Sequence, residues 1–124
     1  MSKMSKIIII IITLILYSKS TIALGFLDCI SDIPVHSKII EIKESCFLFD
    51  SDSGKIVSVE AKHLLSDKEV LGFYKNILKQ FGWELKSEKV NNALIFIRDN
   101  EILKININDY NIILFNNFLS LKNN

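Results

Sequence analysis

The stretch EVLGFYKNILKQFGW, residues 69–83, carries the start, the stripe and the stop of one helix. Ser66 just upstream is an N-cap residue, and Glu69 three positions on completes a capping box. Asp67 and Glu69 place negative charge in the first turn, where the helix dipole favours it. Val70, Phe73, Tyr74, Ile77, Leu78 and Phe81 then recur at helical spacing and form one apolar stripe. Gly82 supplies the left-handed C-terminal stop, and Trp83 follows it directly. Aromatics at this spacing read as core. The alternative is that Phe73, Tyr74 and Trp83 line a ligand or partner groove.

Upstream, SCFLFD alternates Phe47 and Phe49 with Cys46 and Leu48, the pattern of a strand buried on both faces. DSDSGK is a turn by composition. KIVSVEAKH returns with Val57, Val59 and Ala61 on one face and Ser58, Glu60 and Lys62 on the other, so the two runs form a β-hairpin. Downstream, WELKSE begins a strand with Trp83 and Leu85 on one side. Asn91–Asn92 is a turn, ALIFIRD an apolar strand, and ILKININD a clean alternation with Leu103, Ile105 and Ile107 inward. NIILFNNFLSLK is the last strand, expected to break or bulge at Asn116–Asn117. Short loops between the last strands imply antiparallel neighbours. The expected order is β-β-α-β-β-β: an α+β two-layer domain, one helix packed on an antiparallel sheet of about four to six strands.

The chain has 124 residues, enough for one small domain. It opens MSKMSKIIIIIITLILYSKSTIALG: Lys3 and Lys6, an apolar run from Ile7 to Tyr17, then small residues. That is the layout of a secretory signal peptide, residues 1–23, with Thr21 and Ala23 placed for cleavage before Leu24. A second cut is possible after Gly25. The rival is an uncleaved anchor over residues 7–27, which would bury Lys19. The acid Asp28 directly before Cys29 argues against lipidation. Residues 24–44 read as an irregular lead-in containing the lone Pro34, in which IIEIKE could add a short strand; residues 45–122 are the α+β domain. Export makes Cys29 and Cys46 a candidate disulfide, against the alternative of two reduced thiols. Without residues 1–23 the chain holds 12 basic and 14 acidic residues, a net of −2. That balance gives no footprint for nucleic acid or for an anionic membrane surface.

DIPVHSKIIEIKESCFLFDSDSGKIVSVEA, EVLGFYKNILKQFGW and LIFIRDNEILKI together resemble a family of small exported proteins of alphaproteobacteria. The shared motifs are D-[LI]-P, F-D-x-x-x-G-[KR]-I-V and F-Y-x-x-x-L-x-Q-x-G-W. The resemblance runs from Asp32 to about Lys122. It departs at Val35, His36, Ser37 and Lys38, where the family has Met-Pro-Gly, so that first turn is expected to differ. The resemblance implies export, to the periplasm, and no activity or catalytic residues to carry over.

Candidate chemistry is sparse. His63 with Glu60 and Ser66 could make a small hydrolase, but Ser66 is better used as the helix cap. DSDSG has its glycine one place early for a calcium loop. Glu41 and Glu44, or Asp99 and Glu101, could be paired acids, yet charged turns are usually only solvated. No phosphate loop or metal-ligand cluster stands out, so no cofactor, metal or catalytic residue is expected. The leading expectation is therefore a non-enzymatic periplasmic module that binds an envelope protein or lipid. Its only other expected partner is the secretion machinery, through residues 1–23. Apolar surface for binding would come from Phe47, Phe49, Ile95, Ile97, Ile113 and Phe115 on the face, or at an edge, of the sheet that the helix leaves free. The alternatives are the hydrolase using His63 and a membrane-tethered protein keeping residues 7–27.

Overall fold

A computed structural model describes residues 2–17, 24–89 and 92–121. The expected cleavage residues Thr21 and Ala23, Lys19, Asn91 and the domain end at Lys122 lie outside them. Helix α1 spans Ser2–Tyr17. Strands β1 (Gly25–Phe26) and β2 (Pro34–Val35) pair as a small antiparallel ribbon. Next come β3 (Ile39–Ser51), β4 (Gly54–His63), helix α2 (Asp67–Ile77) and a 3-10 turn at Leu78–Phe81. Four strands complete the chain: β5 (Glu84–Lys89), β6 (Ala93–Arg98), β7 (Glu101–Ile107) and β8 (Ile112–Ser120).

The domain is α+β, with α2 on one face of a six-stranded antiparallel sheet ordered β3-β4-β8-β7-β6-β5. Four strands follow the helix, one for each run named after Trp83, so the expected order β-β-α-β-β-β is one strand short. The connection through α2 carries the chain from β4 to the far edge. The last four strands then meander back until β8 pairs with β4.

Helix α2 forms where its signals place it. The Ser66 hydroxyl accepts from the Glu69 N–H (3.1 Å), and the Glu69 carboxylate accepts from the Ser66 N–H (3.3 Å). At the other end Gly82 has φ +84°, a conformation that strains any residue with a Cβ. The Trp83 N–H then returns to the Leu78 carbonyl (3.0 Å), closing the last turn. The bonds from Ser66 hold the Glu69 carboxyl below its ordinary value of 4.5. A carboxyl depressed in the folded state stabilises fully above that value and loses its effect as pH falls through the lower folded one. Glu69→Gln is therefore expected to lower the urea midpoint at pH 7, with the gap from the parent closing well below pH 4.5. A gap of constant size down to that pH would contradict the capping role.

One core runs between helix and sheet. Val70, Tyr74 and Leu78 of the helix layer, with Trp83, meet Val59, Leu94, Phe96, Leu103, Ile105, Ile113 and Phe115 of the sheet. The lead-in joins this core: Leu27, Ile30 and Ile33 are buried, and the Leu27 N–H bonds the Ile33 carbonyl. Residues 39–44, assigned to the lead-in from sequence, are the first part of β3, paired from Ile39↔His63 to Ile42↔Glu60.

Two expectations are corrected. Residues Cys46–Ser51 of β3 are exposed rather than buried on both faces, because β3 is an edge strand whose outer half has no layer over it. Strand β8 runs unbroken through Asn116 and Asn117, which pair in register with β4 and β7. Asn117 tolerates burial because its side chain donates to the Glu101 carboxylate at 3.3 Å. The irregularity lies instead in β3, between Ile42 and Phe47. There the Ser45 hydroxyl accepts from the Glu60 N–H (2.8 Å) and donates to the Ile42 carbonyl (2.6 Å), replacing ladder bonds that the bulge removes. Gly54 opens β4 beside β8, where a Cβ would run into the Leu119 carbonyl.

Candidate functional site

The cysteines form a disulfide, Cys29–Cys46, with the Cα atoms 5.7 Å apart. It ties the lead-in to the bulge of β3. Beside it the Glu41 carboxylate accepts from the N–H groups of Asp28 (2.7 Å) and Cys29 (3.0 Å), and Asp28 pairs with Lys43 at 2.8 Å. Glu41, half of a candidate acid pair, thus holds the lead-in in place.

The aromatic helix end belongs to the core. Tyr74 and Leu78 are fully buried, and Trp83 is 3% exposed. Tyr74 stacks edge-on against Phe73 (4.9 Å) and Phe115 (5.5 Å), while half-buried Phe81 packs against Phe26 at 5.8 Å. The Arg98 guanidinium lies 4.3 Å over the Trp83 ring and donates to the Phe81 carbonyl at 3.0 Å. Ser66, Glu69 and Gly82 act as caps. The residues of this motif build the domain.

The Tyr74 hydroxyl has no hydrogen-bond partner among the described residues, and burial pushes it above its ordinary value of 10.0. A hydroxyl that stays neutral when folded but ionises when unfolded stabilises fully below pH 10.0 and loses that contribution as pH rises. Tyr74→Phe keeps the ring contacts and removes the unpaired group. It is expected to raise stability by about 1 kcal/mol at neutral pH. It should also flatten the loss of stability above pH 10.0 in a denaturation series. A destabilised variant would mean that the hydroxyl has a partner in solution.

His63 sits at the end of the buried row Val57, Val59, Ala61. Its side chain has no exposed surface, and Nε2 is 3.6 Å from an Asp67 carboxylate oxygen. Glu60 points to the other face of the sheet, and the Ser66 hydroxyl is engaged with Glu69. His63, Glu60 and Ser66 are therefore not brought together. In the DSDSG turn the Ser51 hydroxyl donates to the Gly54 carbonyl (3.1 Å). Glu101 accepts from Arg98 and Asn117, so it too is engaged in structure, whereas Asp99 is an exposed turn residue with φ +50°.

A cleft of about 200 Å³ lies past the helix end, lined by Ser31, Asp32, Lys55, Arg98, Glu101 and Asn117. Most of its polar groups bond one another: Arg98 reaches Glu101 at 3.3 Å and Asp32 at 4.0 Å.

What remains unpartnered is the sheet face away from α2. Its register aligns one apolar residue from each of five adjacent strands: Phe49↔Ile56, Ile56↔Phe118, Phe118↔Ile102 and Ile102↔Ile97. Phe49 is 52% exposed, Ile102 42% and Ile56 39%, with Phe118 and Ile97 half-buried. At the strand spacing of about 4.8 Å, the row is about 19 Å long. Phe47, 59% exposed, begins the next row. Of the expected surface residues, Phe47, Phe49, Ile95 and Ile97 lie on this face. Ile113 and Phe115 are buried under the helix, because β8 presents its odd-numbered positions there. Ile56, Ile102 and Phe118 were not anticipated. Their signal is an apolar residue on the polar phase of an alternating strand.

These features define a two-layer α+β domain, tied by one disulfide, with an uncovered apolar row across its sheet. In comparisons with known proteins, no family model, no curated protein and no solved structure matches the chain.

Proposed function

We propose that this is an exported small protein acting as a non-enzymatic binding or envelope-accessory module, with the open sheet face as its binding surface. The observation that carries the reading is the row Phe49–Ile56–Phe118–Ile102–Ile97, a contiguous apolar patch of the kind that marks an interaction site. Export is supported by the disulfide, which persists in oxidising compartments, and by the leader-like residues 1–23. The resemblance to small exported alphaproteobacterial proteins supports a periplasmic location. The tethered alternative is favoured by α1, in which Ile7–Ile12 are all exposed. Among the described residues no helix is long and apolar enough to cross a membrane. No observation favours the hydrolase, given the burial of His63.

The test combines two readouts on the full chain. Mass determination of the protein recovered from the envelope is expected to show loss of residues 1–23. An intact Met1 would contradict cleavage and support the tether. The double variant Phe49→Ser, Ile102→Ser is expected to fold, yet to lose the association with its partner, of whatever kind, that the parent shows in envelope extracts. A folded variant that keeps that association would overturn the binding role of the face.

A further inference from the structure

We infer that the occupant of the open face is a second copy of this chain, packed sheet against sheet about a two-fold axis along β8. The inference rests on the open face being a binding surface and names its partner.

The apolar row is centred on β8, with β4 and β3 on one side and β7 and β6 on the other. A two-fold axis lying in the interface along β8 carries each strand onto its counterpart across that centre. It sets Phe118 against the second copy's Phe118, Ile56 against its Ile102, and Phe49 against its Ile97. The row is thus self-complementary, which is what an isologous interface requires. The same operation lays Lys104 of β7 over the second copy's β4, which presents Ser58 and Glu60 on that face. Neither Glu60 nor Lys104 forms an ion pair among the described residues, so the pairing answers two charges left open within one chain.

The area suffices. Taking about 200 Å² for a fully exposed side chain of this size, the exposed fractions of the face's apolar residues amount to on the order of 500 Å² per copy. A pair would bury on the order of 1,000 Å², the lower bound for a specific interface. Two inner faces about 10 Å apart make an ordinary β-sandwich core.

The edges of the sheet do not compete. Strand β3 is interrupted by the bulge between Ile42 and Phe47 and bonded there to Cys29. Strand β5 carries Glu84, Lys86, Glu88 and Lys89 and has its own register shift between Leu85 and Ser87. Bulged and charged edges resist pairing with another chain. The face has no such protection, so association is directed to it.

Two differently tagged full-length chains test this, one Ile56→Cys and the other Ile102→Cys, co-expressed and treated in intact cells with a short bis-maleimide. The expected result is a shift of the protein band to twice its mass, carrying both tags. Ile56→Cys paired with Tyr110→Cys, an exposed residue in the loop between β7 and β8, should give no such shift. A second pair, Phe49→Cys with Ile97→Cys, covers the case in which either first variant fails to fold. Retention of the Cys29–Cys46 bond reports folding in each. Equal dimer yield with Tyr110→Cys would overturn the inference, since the contact would not then be specific to the face. Crosslinks to a different, heavier partner would also overturn it, as would thiols shielded from maleimide without any crosslink, the result a lipid surface gives. Both of those outcomes leave the face a binding surface. Freely labelled thiols with no crosslink would remove both readings.

Discussion

Phe115→Ala is expected to lower the free energy of unfolding by about 3–5 kcal/mol, the range for truncating a fully buried aromatic. Phe115 lies on β8, paired with Val59 on one side and Ile105 on the other, and it stacks on Tyr74. Removing the ring would leave a void bordered by helix and sheet, where neither layer can collapse without moving the other. Phe49→Ala deletes the same ring from the open face, where it is half exposed within one chain, and at concentrations low enough to keep copies apart it should change stability by about 1 kcal/mol or less. Urea denaturation of both variants gives the comparison directly. Similar losses in the two would mean that the faces are not distinguished as described.

The second large effect is that of the disulfide. Replacing both cysteines, Cys29→Ser with Cys46→Ser, is expected to cost on the order of 3 kcal/mol, the chain-entropy value for a loop of this size. The double substitution avoids leaving a lone thiol. The loss should appear as a lower denaturation midpoint, matched by the parent in reducing buffer. A cost well under about 1 kcal/mol would show that Leu27, Ile30, Ile33 and the carboxylate of Glu41 hold the lead-in without the bond.

The helix was legible, except that its last turn tightens to 3-10 at Leu78–Phe81, because each of its parts carries a local signal: Ser66 and Glu69 at the start, the stripe from Val70 to Phe81, and Gly82 at the end. The inward phases of β4 and β7 were legible because polar residues mark the opposite face. Burial of His63 was legible in principle, since the alternation Val57, Val59, Ala61 reaches it two residues on. The lead-in was not: Leu27, Ile30 and Ile33 are three apart, a spacing that matches neither a strand nor a helix here, and they are buried by distant partners. Nor does anything in SCFLFD distinguish an edge strand from a central one, since apolar residues on both phases fit either position. Asn116–Asn117 looked like a break because the hydrogen bond that accommodates Asn117 is made to Glu101 on the neighbouring strand β7, a partner no local pattern reveals. The candidate site was the least visible part. Its row exists only once five strands lie in register, and no local residue pattern encodes which strands are neighbours.

The last of the described strands in sequence order, β8, sits in the middle of the sheet. Until residues 112–120 are available, the β3–β4 hairpin has no bond to the meander of β5, β6 and β7, and the sheet exists as two separate halves. A nascent chain that has not yet reached β8 therefore cannot close its core, whatever the strength of its local elements. Such a layout delays folding until β8 is available, and a chain stopped before it is left as a product for proteases.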